Sequence, residues 1–427
     1  MKIAIAGYGA EGESNYRYFA LDPSNEITIV DQRQPDREIP SGIATIIGND
    51  AFEKLNGFDL VIRTAGLSPH KIITDGKIWS ATNEFFAKCP AKIIGVTGTK
   101  GKGTTASLIA SILESAGRKV WLLGNIGKPA LDVIEQIKSD DLVVYELSSF
   151  QLWDLEKSPH VAVVLFIEQE HLDVHIDMKE YVNAKNNITR YQTADDYLIY
   201  NQSNEYARSI ADGSKAKLIG YTDIETSHVA DDNFYYGEQK ISSVNTLQIM
   251  GKHNYDNACA AIDAIWEYVR DSEVIERGLG AFKGLPHRLQ FVRMVNEVKY
   301  FDDSIATTPS SAIAALRAFD GPKVIILGGS SKGSDFTELA AELLRHDVKV
   351  ILIGDEANKI ATECQSAGFV DFEIINNATM TDVVKRSQIL SKPDGVVLLS
   401  PASASFGLFK NYVDRGDQFQ AAVKMLQ

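Results

Sequence analysis

The residues best suited to chemistry lie in a glycine-rich segment, VTGTKGKGTT, at positions 96–105. A β-branched run ends at Thr97, and an apolar-periodic helix is predicted to follow the loop. A loop of this kind directs backbone N–H groups at phosphate oxygens, and the helix N-terminus adds positive potential. Lys102 is placed to reach the β- and γ-phosphates of a nucleotide. The predicted phosphate-binding residues are Gly98, Thr99, Lys100, Gly101, Lys102, Gly103, Thr104 and Thr105.

Metal ligands are expected beside this loop, because nucleoside triphosphates react together with Mg²⁺. The common pattern has Ser or Thr directly after the lysine. This chain has Gly103 there, so Thr104 or Thr105 must supply the hydroxyl, and Thr104 is favoured. Glu146 ends an apolar strand and is suited to Mg²⁺, although strand-end glutamates also occur simply in water. His171 alone would be a packing or turn residue, but beside Glu146 and the loop a second-metal role is favoured.

A second glycine motif opens the chain, where GYGAEG follows a predicted strand at residues 2–6 and leads into a helix. Asp31 ends the next strand, close to the distance at which a dinucleotide-binding fold carries an acidic residue. The motif by itself favours NAD, and Gly9 is its central glycine. Glu11 weakens that interpretation, because it puts negative charge where a pyrophosphate would bind. The motif therefore predicts a bound nucleotide diphosphate without naming it.

Short β-branched runs that alternate with helical patterns must position these groups, which predicts an α/β fold with mostly parallel sheets. Proline and glycine near residues 90 and 285 mark two domain boundaries. We therefore predict a Rossmann-like domain at 1–90, a central P-loop ATPase domain at 91–284 and a second Rossmann-like domain at 285–427. A short β excursion is expected at 221–250. The predicted strands begin at KIAIAG, EITIVD, DLVIRT, KIIGVTG, WLLGN, DLVVYELSS, VAVVLF, KVIILGG, KVILIG and GVVLLSP.

Composition limits the partners and the compartment. With 43 basic and 57 acidic residues the formal charge is −14, which argues against nucleic acid or an anionic membrane surface as a partner. No apolar run approaches the length of a membrane span. The three cysteines, Cys89, Cys259 and Cys364, are far apart and form no CxxC pair, which favours a reducing compartment. The N-terminus lacks the pattern of a signal peptide, so we expect the cytoplasm.

Taken together, these segments resemble the Mur ligase family of peptidoglycan synthesis, with the glutamate-adding members as the nearest match. The resemblance covers nearly the whole chain, and its motifs follow one another in the family's order. Beyond the glycine-rich loop they are GNIG (124–127), ELSSFQL (146–152), EHLD (170–173), AK (184–185), GKHNYDNACAA (251–261), LPHRLQ (285–290), DDSIATT (302–308), GGSSKGSDF (328–336) and LSPASASFGLFKNY (399–412).

The resemblance implies an ATP-dependent ligase whose substrates are UDP-N-acetylmuramoyl-L-alanine and glutamate, with two Mg²⁺ ions and a monomeric chain. Lys185, which by pattern alone is an ordinary surface lysine, matches the family lysine that becomes a carbamate and a metal ligand. Lys102, His171 and Lys185 would be catalytic. The metal ligands would be Thr104, Glu146, His171 and the carbamate of Lys185. The ATP contacts outside the loop would be Asn254, Asn257, Arg288 and Asp303. The precursor would contact Gly9, Asp31, Arg33, Asn125 and Ser148, and glutamate would contact Thr307, Lys332, Ser405 and Tyr412.

The implied mechanism is phosphorylation of the alanine carboxylate to an acyl phosphate, followed by attack of the glutamate amine. The expected substrate is D-glutamate. Besides Gly103, three residues depart from the family pattern. Lys100 stands for the usual Asn, Ile305 for an active-site Lys, and Tyr412 for a Phe that flanks the amino acid. Because two of them surround the glutamate pocket, L-glutamate is a second candidate substrate. A folate-like acceptor, or a non-catalytic sensor of nucleotide and cell-wall precursor, would also be compatible with parts of the pattern.

Overall fold

The computed structural model describes residues 1–125, 128–172, 174–249, 251–331, 333–376 and 378–427. The chain forms two compact units, one of Met1–Gln248 with Lys252–Phe282 and one of Ile249–Gly251 with Lys283–Gln427. The first unit contains two parallel sheets and a small antiparallel sheet, and the second contains one mixed sheet. No helix in the described ranges is both long and apolar enough to cross a membrane. The predicted α/β class with mostly parallel sheets is confirmed.

The first sheet has five parallel strands in the order β3-β2-β1-β4-β5, which is the order of a Rossmann-like half. Its central strand is apolar throughout its buried part because helices or loops cover both faces. The predicted domain boundary at residue 90 stays a prediction. The elements are β1 (Lys2–Ala6), α1 (Ala10–Phe19), β2 (Glu26–Asp31), β3 (Ala44–Ile47), β4 (Leu60–Arg63), β5 (Lys77–Ser80) and α2 (Ala81–Lys88).

The second sheet has six parallel strands in the order β11-β10-β9-β6-β8-β7. Since β6 lies between β9 and β8, the segments that follow these three strands leave the same edge of the sheet. That edge carries the candidate site. The elements are β6 (Lys92–Thr97), α3 (Lys102–Ser115), β7 (Val120–Gly124), β8 (Leu142–Glu146), α4 (Ser149–Leu152), β9 (Val161–Val164), α5 (Met178–Asn186), β10 (Tyr197–Asn201), α6 (Glu205–Asp212) and β11 (Lys217–Tyr221).

A small antiparallel sheet and two helices complete the first unit. The sheet is the β excursion expected at 221–250, and α7 and α8 both pack against α3. Helix α8 packs so closely on α3 that a Cβ at Gly278 would lie 2.4 Å from Ile112 Cα. The elements are β12 (Ser227–Ala230), β13 (Asn233–Tyr236), β14 (Gln239–Ser243), α7 (His253–Ile265) and α8 (Ser272–Ala281).

The second unit is built on a six-stranded sheet in the order β15-β16-β20-β17-β18-β19, in which only the β15–β16 pair is antiparallel. The predicted boundary at residue 284 also stays a prediction. The elements are β15 (Gln290–Val295), β16 (Val298–Asp302), α9 (Pro309–Arg317), β17 (Lys323–Gly328), α10 (Thr337–Leu343), β18 (Val348–Ile353), α11 (Ala357–Ala367), β19 (Phe372–Ile374), α12 (Met380–Leu390), β20 (Val396–Leu399) and α13 (Tyr412–Lys424).

A buried arginine joins the two parallel sheets of the first unit. Arg63 ends β4 and is fully buried, and its Nε and Nη2 donate to the carboxylate of Asp154 at 2.7 and 2.8 Å. Nη2 also donates at 2.7 Å to the carbonyl of Phe150, a residue of α4 in the segment after β8. A guanidinium taken out of water requires partners of this kind. The pair therefore fixes the first sheet against the segment that follows β8.

Candidate active site

The predicted phosphate loop follows β6, and its backbone requires glycine at two positions. Gly98 has φ +150°, and a Cβ there would lie 2.7 Å from Leu165 Cβ on the neighbouring strand segment. Gly101 has φ +85°, and a Cβ there would lie 2.3 Å from Asn257 Oδ1. Helix α3 begins directly afterwards at Lys102. The backbone N–H groups of the first turn of α3 thus open onto the edge where β8 and β9 also end, as an anion site requires.

We expect the variant Gly101→Ala to raise the KM for ATP by at least about tenfold. A left-handed backbone costs an alanine ~1–2 kcal/mol, the contact with Asn257 adds to it, and ~1.4 kcal/mol corresponds to a factor of ten. The matched control is Gly117→Ala, because Gly117 also has a positive φ, +74°, but open space at its Cβ position. Steady-state kinetics with both variants check this, and equal KM values for ATP would contradict a contact between this loop and the nucleotide.

Two lysines meet at the loop. Lys102 Nζ donates to the carbonyl oxygens of Gly98 and Thr99 at 3.1 and 2.8 Å. Lys185 Nζ, from α5, donates to the same Gly98 carbonyl at 2.8 Å, although the two residues are 87 positions apart. Lys185 is 1% exposed. Burial first, and then the charge of Lys102, hold the pKa of Lys185 well below its usual range, while Glu170 acts in the opposite direction. The structure therefore favours a neutral amine at Lys185.

Glu146 lies on one side of the loop, at the end of β8. It pairs with Val96 of β6 in the sheet, and the Thr97 hydroxyl donates to the Leu147 carbonyl at 2.8 Å. The Glu146 carboxylate accepts a hydrogen bond from Asn125 Nδ2 at 3.3 Å. Both Glu146 and Thr104 are largely buried, Thr104 in the first turn of α3. The structure thus brings Asn125 to Glu146 and holds Glu146 beside the strand that enters the loop.

His171 lies on the other side, in the segment after β9. Its backbone is left-handed, with φ 59°, and its Nε2 lies 3.6 Å from Glu170 Oε2. The centroid of its ring is 4.9 Å from that of Phe150 and 6.5 Å from that of Tyr181. Tyr181 in turn shares a 3.0 Å hydrogen bond with Thr99 Oγ1, and its ring centroid lies 4.5 Å from Lys185 Nζ. His171 therefore belongs to the same cluster of side chains as the loop and Lys185.

Some of the side chains beside the loop are of the kind that can bind Mg²⁺. The Thr104 hydroxyl and the buried Glu146 carboxylate offer oxygen atoms, which Mg²⁺ prefers as ligands. In the described part of the chain, no three His, Cys, Asp or Glu side chains converge closely enough to hold a metal by themselves. Lys185 adds no ligand as an ammonium group, whereas a carbamate on its Nζ would add two oxygen atoms. The donor set present is therefore chemically suited to Mg²⁺ at Thr104 and Glu146, and a carbamate on Lys185 would add to it.

The two asparagines predicted to contact ATP lie against the loop. Asn257 Oδ1 accepts a 3.3 Å hydrogen bond from Thr105 Oγ1. Asn257 Nδ2 donates to Asn254 Oδ1 at 2.9 Å, so the pair on α7 acts as one connected group. Lys100 differs from the rest of the predicted loop set, because its exposed ammonium group pairs with Glu168 at 2.5 Å. The structure thus places Asn254 and Asn257 at the loop and directs Lys100 to the surface.

The predicted precursor contacts lie in two places. Gly9 precedes α1, and Asp31 at the end of β2 accepts hydrogen bonds from the N–H groups of Tyr8 at 2.8 Å and Arg33 at 3.4 Å. These three positions share the carboxyl edge of the first sheet. Ser148 instead lies at the start of α4, where its hydroxyl accepts from the Gln151 N–H at 3.3 Å. Its hydroxyl therefore has a helix-capping role in this structure.

The second unit holds the remaining predicted residues. Asp303 is buried, and burial raises its pKa to about 7 despite hydrogen bonds from Ser400 and from the Leu289 N–H and the charge of Arg288. Thr307 lies in the segment between β16 and α9, and Ser405 is buried. Tyr412 begins α13 with its ring exposed, and its carbonyl accepts from Ser304 Oγ at 2.7 Å. Lys332 lies outside the described residues.

The sequence interpretation missed two buried groups. His175 Nε2 lies 3.0 Å from Ser149 Oγ, and its ring stacks on Phe150 with centroids 5.4 Å apart. Burial first lowers the pKa of His175. The spacing of four residues from His171 was the available signal for it. Arg415 is fully buried and donates to the hydroxyl and carbonyl of Ser304, for which the sequence offered no signal.

Comparison with known proteins gives matches along the whole chain. Residues 96–265 match the Mur ligase middle domain, and residues 287–403 match the Mur ligase glutamate ligase domain. The UDP-N-acetylmuramoylalanine--D-glutamate ligase of Clostridium tetani is 37% identical, with 100% of this chain and 97% of that protein covered. The protein of the same name from Acetivibrio thermocellus is 36% identical over 100% of this chain and 97% of its own length.

Solved structures share the fold at low sequence identity. The MurF ligase of Thermotoga maritima, in complex with ADP, aligns with a TM-score of 0.58 at 16% identity. The alignment covers 99% of this chain and 95% of that one. The architecture described above is thus the fold of that MurF structure.

Proposed function

The chain belongs to the Mur ligase family, and we propose that it joins D-glutamate to the alanine carboxylate of UDP-N-acetylmuramoyl-L-alanine at the expense of ATP. The observation that carries the proposal is the 37% identity over the whole chain to a relative named for that reaction. The position of the Lys102 ammonium group at Gly98 and Thr99 supports it, because the transfer of a phosphoryl group needs positive charge at the phosphates. The three free cysteines fit action in the cytoplasm.

The chemical difficulty is the attack of one anion on another. The N–H groups of the loop and the Lys102 ammonium group bind the phosphates of ATP and offset their charge. The alanine carboxylate then attacks the γ-phosphorus, ADP leaves, and an acyl phosphate forms. The glutamate amine attacks the acyl carbon, loses a proton and expels phosphate. Orientation of the reactants by the loop accounts for a further part of the rate.

Mg²⁺ when bound adds charge neutralisation and alignment of the phosphates. Thr104 and Glu146 would hold one ion, and His171 with a carbamate of Lys185 would hold a second. A neutral lysine amine is the form that adds to CO₂, and burial, which lowers the pKa of Lys185, favours that form. The surroundings of Lys185 therefore support the carbamate proposal.

The remaining predicted residues divide among three domains. Residues 1–90 would bind the UDP part of the precursor through Gly9, Asp31 and Arg33, while Asn125 and Ser148 would contact its muramoyl–alanine part. Residues 91–284 would bind ATP, with Asn254 and Asn257 at the adenine. Residues 285–427 would add Arg288 and Asp303 to the nucleotide site. They would also bind glutamate through Thr307, Lys332, Ser405 and Tyr412.

We expect turnover with D-glutamate to exceed turnover with L-glutamate by at least about tenfold, because the two enantiomers place the amine and carboxylates differently in one rigid site. The measurement is phosphate release from ATP with UDP-N-acetylmuramoyl-L-alanine and each enantiomer in turn. Faster turnover with L-glutamate would reassign the substrate, and Ile305 and Tyr412 would then be the first residues to exchange. No ADP formation with either enantiomer would favour a sensor that only binds nucleotide and precursor.

A further inference from the structure

A separate cavity of about 270 Å³ lies within the first unit, away from the phosphate loop. Val161 and Tyr197, which line it, are the first residues of β9 and β10. The cavity is therefore at the amino end of these parallel strands, whereas the loop follows the carboxyl end of β6. Its size suits a ligand with a single ring. None of the residues that line it takes part in the proposed ligase reaction.

A buried carboxylate in the lining of the cavity has one oxygen atom that accepts no hydrogen bond from the described residues. Asp263, near the end of α7, is 3% exposed. Its Oδ1 accepts a hydrogen bond from the Ser227 N–H at 3.0 Å. Its Oδ2 is buried and receives no hydrogen bond from the described residues. The nearby Ser227 hydroxyl donates to the Cys259 carbonyl at 2.7 Å. A buried acceptor in this state is costly unless a ligand or water donates to it.

The walls of the cavity are aromatic. Tyr236 and Trp266 stack with their ring centroids 3.7 Å apart and an interplanar angle of 8°. Tyr197 adds a third aromatic ring to the lining, and the ammonium group of Lys217 lies 4.7 Å from the centroid of that ring. Aromatic faces stabilise flat molecules by stacking and positive charges by cation–π attraction. Both kinds of contact are thus available to the same ligand.

Of the two carboxylates in the lining, Asp263 is the one that would gain from a positive ligand. Burial raises the pKa of Asp263 to about 7, so a cation beside it would hold it in the ionised form. Glu267 is a second carboxylate in the lining, and it pairs with Lys92 and His160 at 3.1 and 3.0 Å. Arg270 is exposed, and its Nε donates to the Trp266 carbonyl at 3.2 Å. Asp263 is therefore the carboxylate in this lining for which the structure supplies no cationic partner among the described residues.

We propose that this cavity binds a small organic cation, an amine or amidine on a flat apolar body, whose charged nitrogen donates to Asp263 Oδ2. The flat body would lie against the aromatic walls formed by Tyr197, Tyr236 and Trp266. Binding would be independent of nucleotide, because the cavity and the loop are at opposite ends of the strands.

The test is isothermal titration of the full-length protein with benzamidine, with benzamide as the uncharged control of the same shape. We expect saturable binding of one benzamidine per chain and at least about tenfold weaker binding of benzamide, since the charge is the main difference between them. Benzamidine affinity should be the same with and without ADP. Absence of saturable benzamidine binding, equal affinities for the two compounds, or displacement by ADP would each overturn the proposal.

Two variants assign the site. Asp263→Asn keeps an oxygen atom for the Ser227 N–H and should weaken benzamidine binding by at least about tenfold. Tyr236→Leu removes an aromatic wall and should weaken it about threefold, which gives a second readout should Asp263→Asn not fold. Thermal unfolding and ADP binding report whether each variant is intact. Unchanged benzamidine affinity in an intact variant of either kind contradicts the assignment.

Discussion

Replacing Lys102 by alanine should lower the rate of ADP release by on the order of a thousandfold, with the chain still folded. The ammonium group of Lys102 is held by the carbonyl groups of Gly98 and Thr99, at the start of α3. Its charge is therefore placed where the phosphates of ATP would bind and where charge builds up during transfer. Alanine removes the charge and leaves the glycines that shape the loop.

The measurement is ADP release with all substrates at saturating concentration. Lys215→Ala is the control, because Lys215 is an exposed lysine of the same unit and lies between α6 and β11, away from the loop. It should keep the wild-type rate. Near-normal turnover of Lys102→Ala would refute the assignment of the loop as the phosphate site.

Replacing Lys185 by alanine should lower turnover by at least about a hundredfold, because the proposed second metal ion would lose the carbamate of Lys185 as a ligand. The side chain is buried beside the loop, so its removal leaves a small space near Gly98. A short carboxylate such as formate should enter that space and restore part of the activity. For the wild-type protein, we expect bicarbonate to support activity and removal of CO₂ to reduce it.

Lys179→Ala serves as the matched control, since Lys179 lies on the same helix, α5, and is exposed. Turnover of Lys179→Ala should respond to formate and to removal of CO₂ in the same way as turnover of the wild-type protein. An undiminished wild-type rate after CO₂ removal would count against the carbamate. Unchanged turnover of Lys185→Ala would exclude any chemical role for this lysine.

Much of the fold follows from buried apolar runs. The runs that predicted β6 and β9 have neighbours on both sides, and continuous burial made them apolar throughout. The strand predicted from 141 to 149 ends earlier, at Glu146, because Ser148 and Gln151 form a capping box that starts α4. The capping box starts a helix and so ends the strand, whereas an apolar run read by its pattern alone predicts a longer strand.

The candidate site was partly accessible from sequence. The loop could be predicted because its glycines and Lys102 are contiguous and their backbone requirements are local. The burial of Lys185 could not, because α5 has a polar pattern and the partner of Lys185 is 87 positions away. The same holds for Asp263, whose cavity is formed by strands and helices distant in sequence. Contacts of this kind depend on how the elements pack, which neither composition nor periodicity determines.

The most direct test of the central claim, that the substrate carboxylate is phosphorylated, is an isotope transfer. The precursor is prepared with ¹⁸O in both oxygens of its alanine carboxylate and converted with ATP and glutamate. Mass spectrometry of the released phosphate should find one ¹⁸O atom in each molecule formed, because the carboxylate oxygen that attacks the γ-phosphorus leaves with the phosphate. Phosphate without ¹⁸O, formed together with the amide product, would contradict an acyl phosphate.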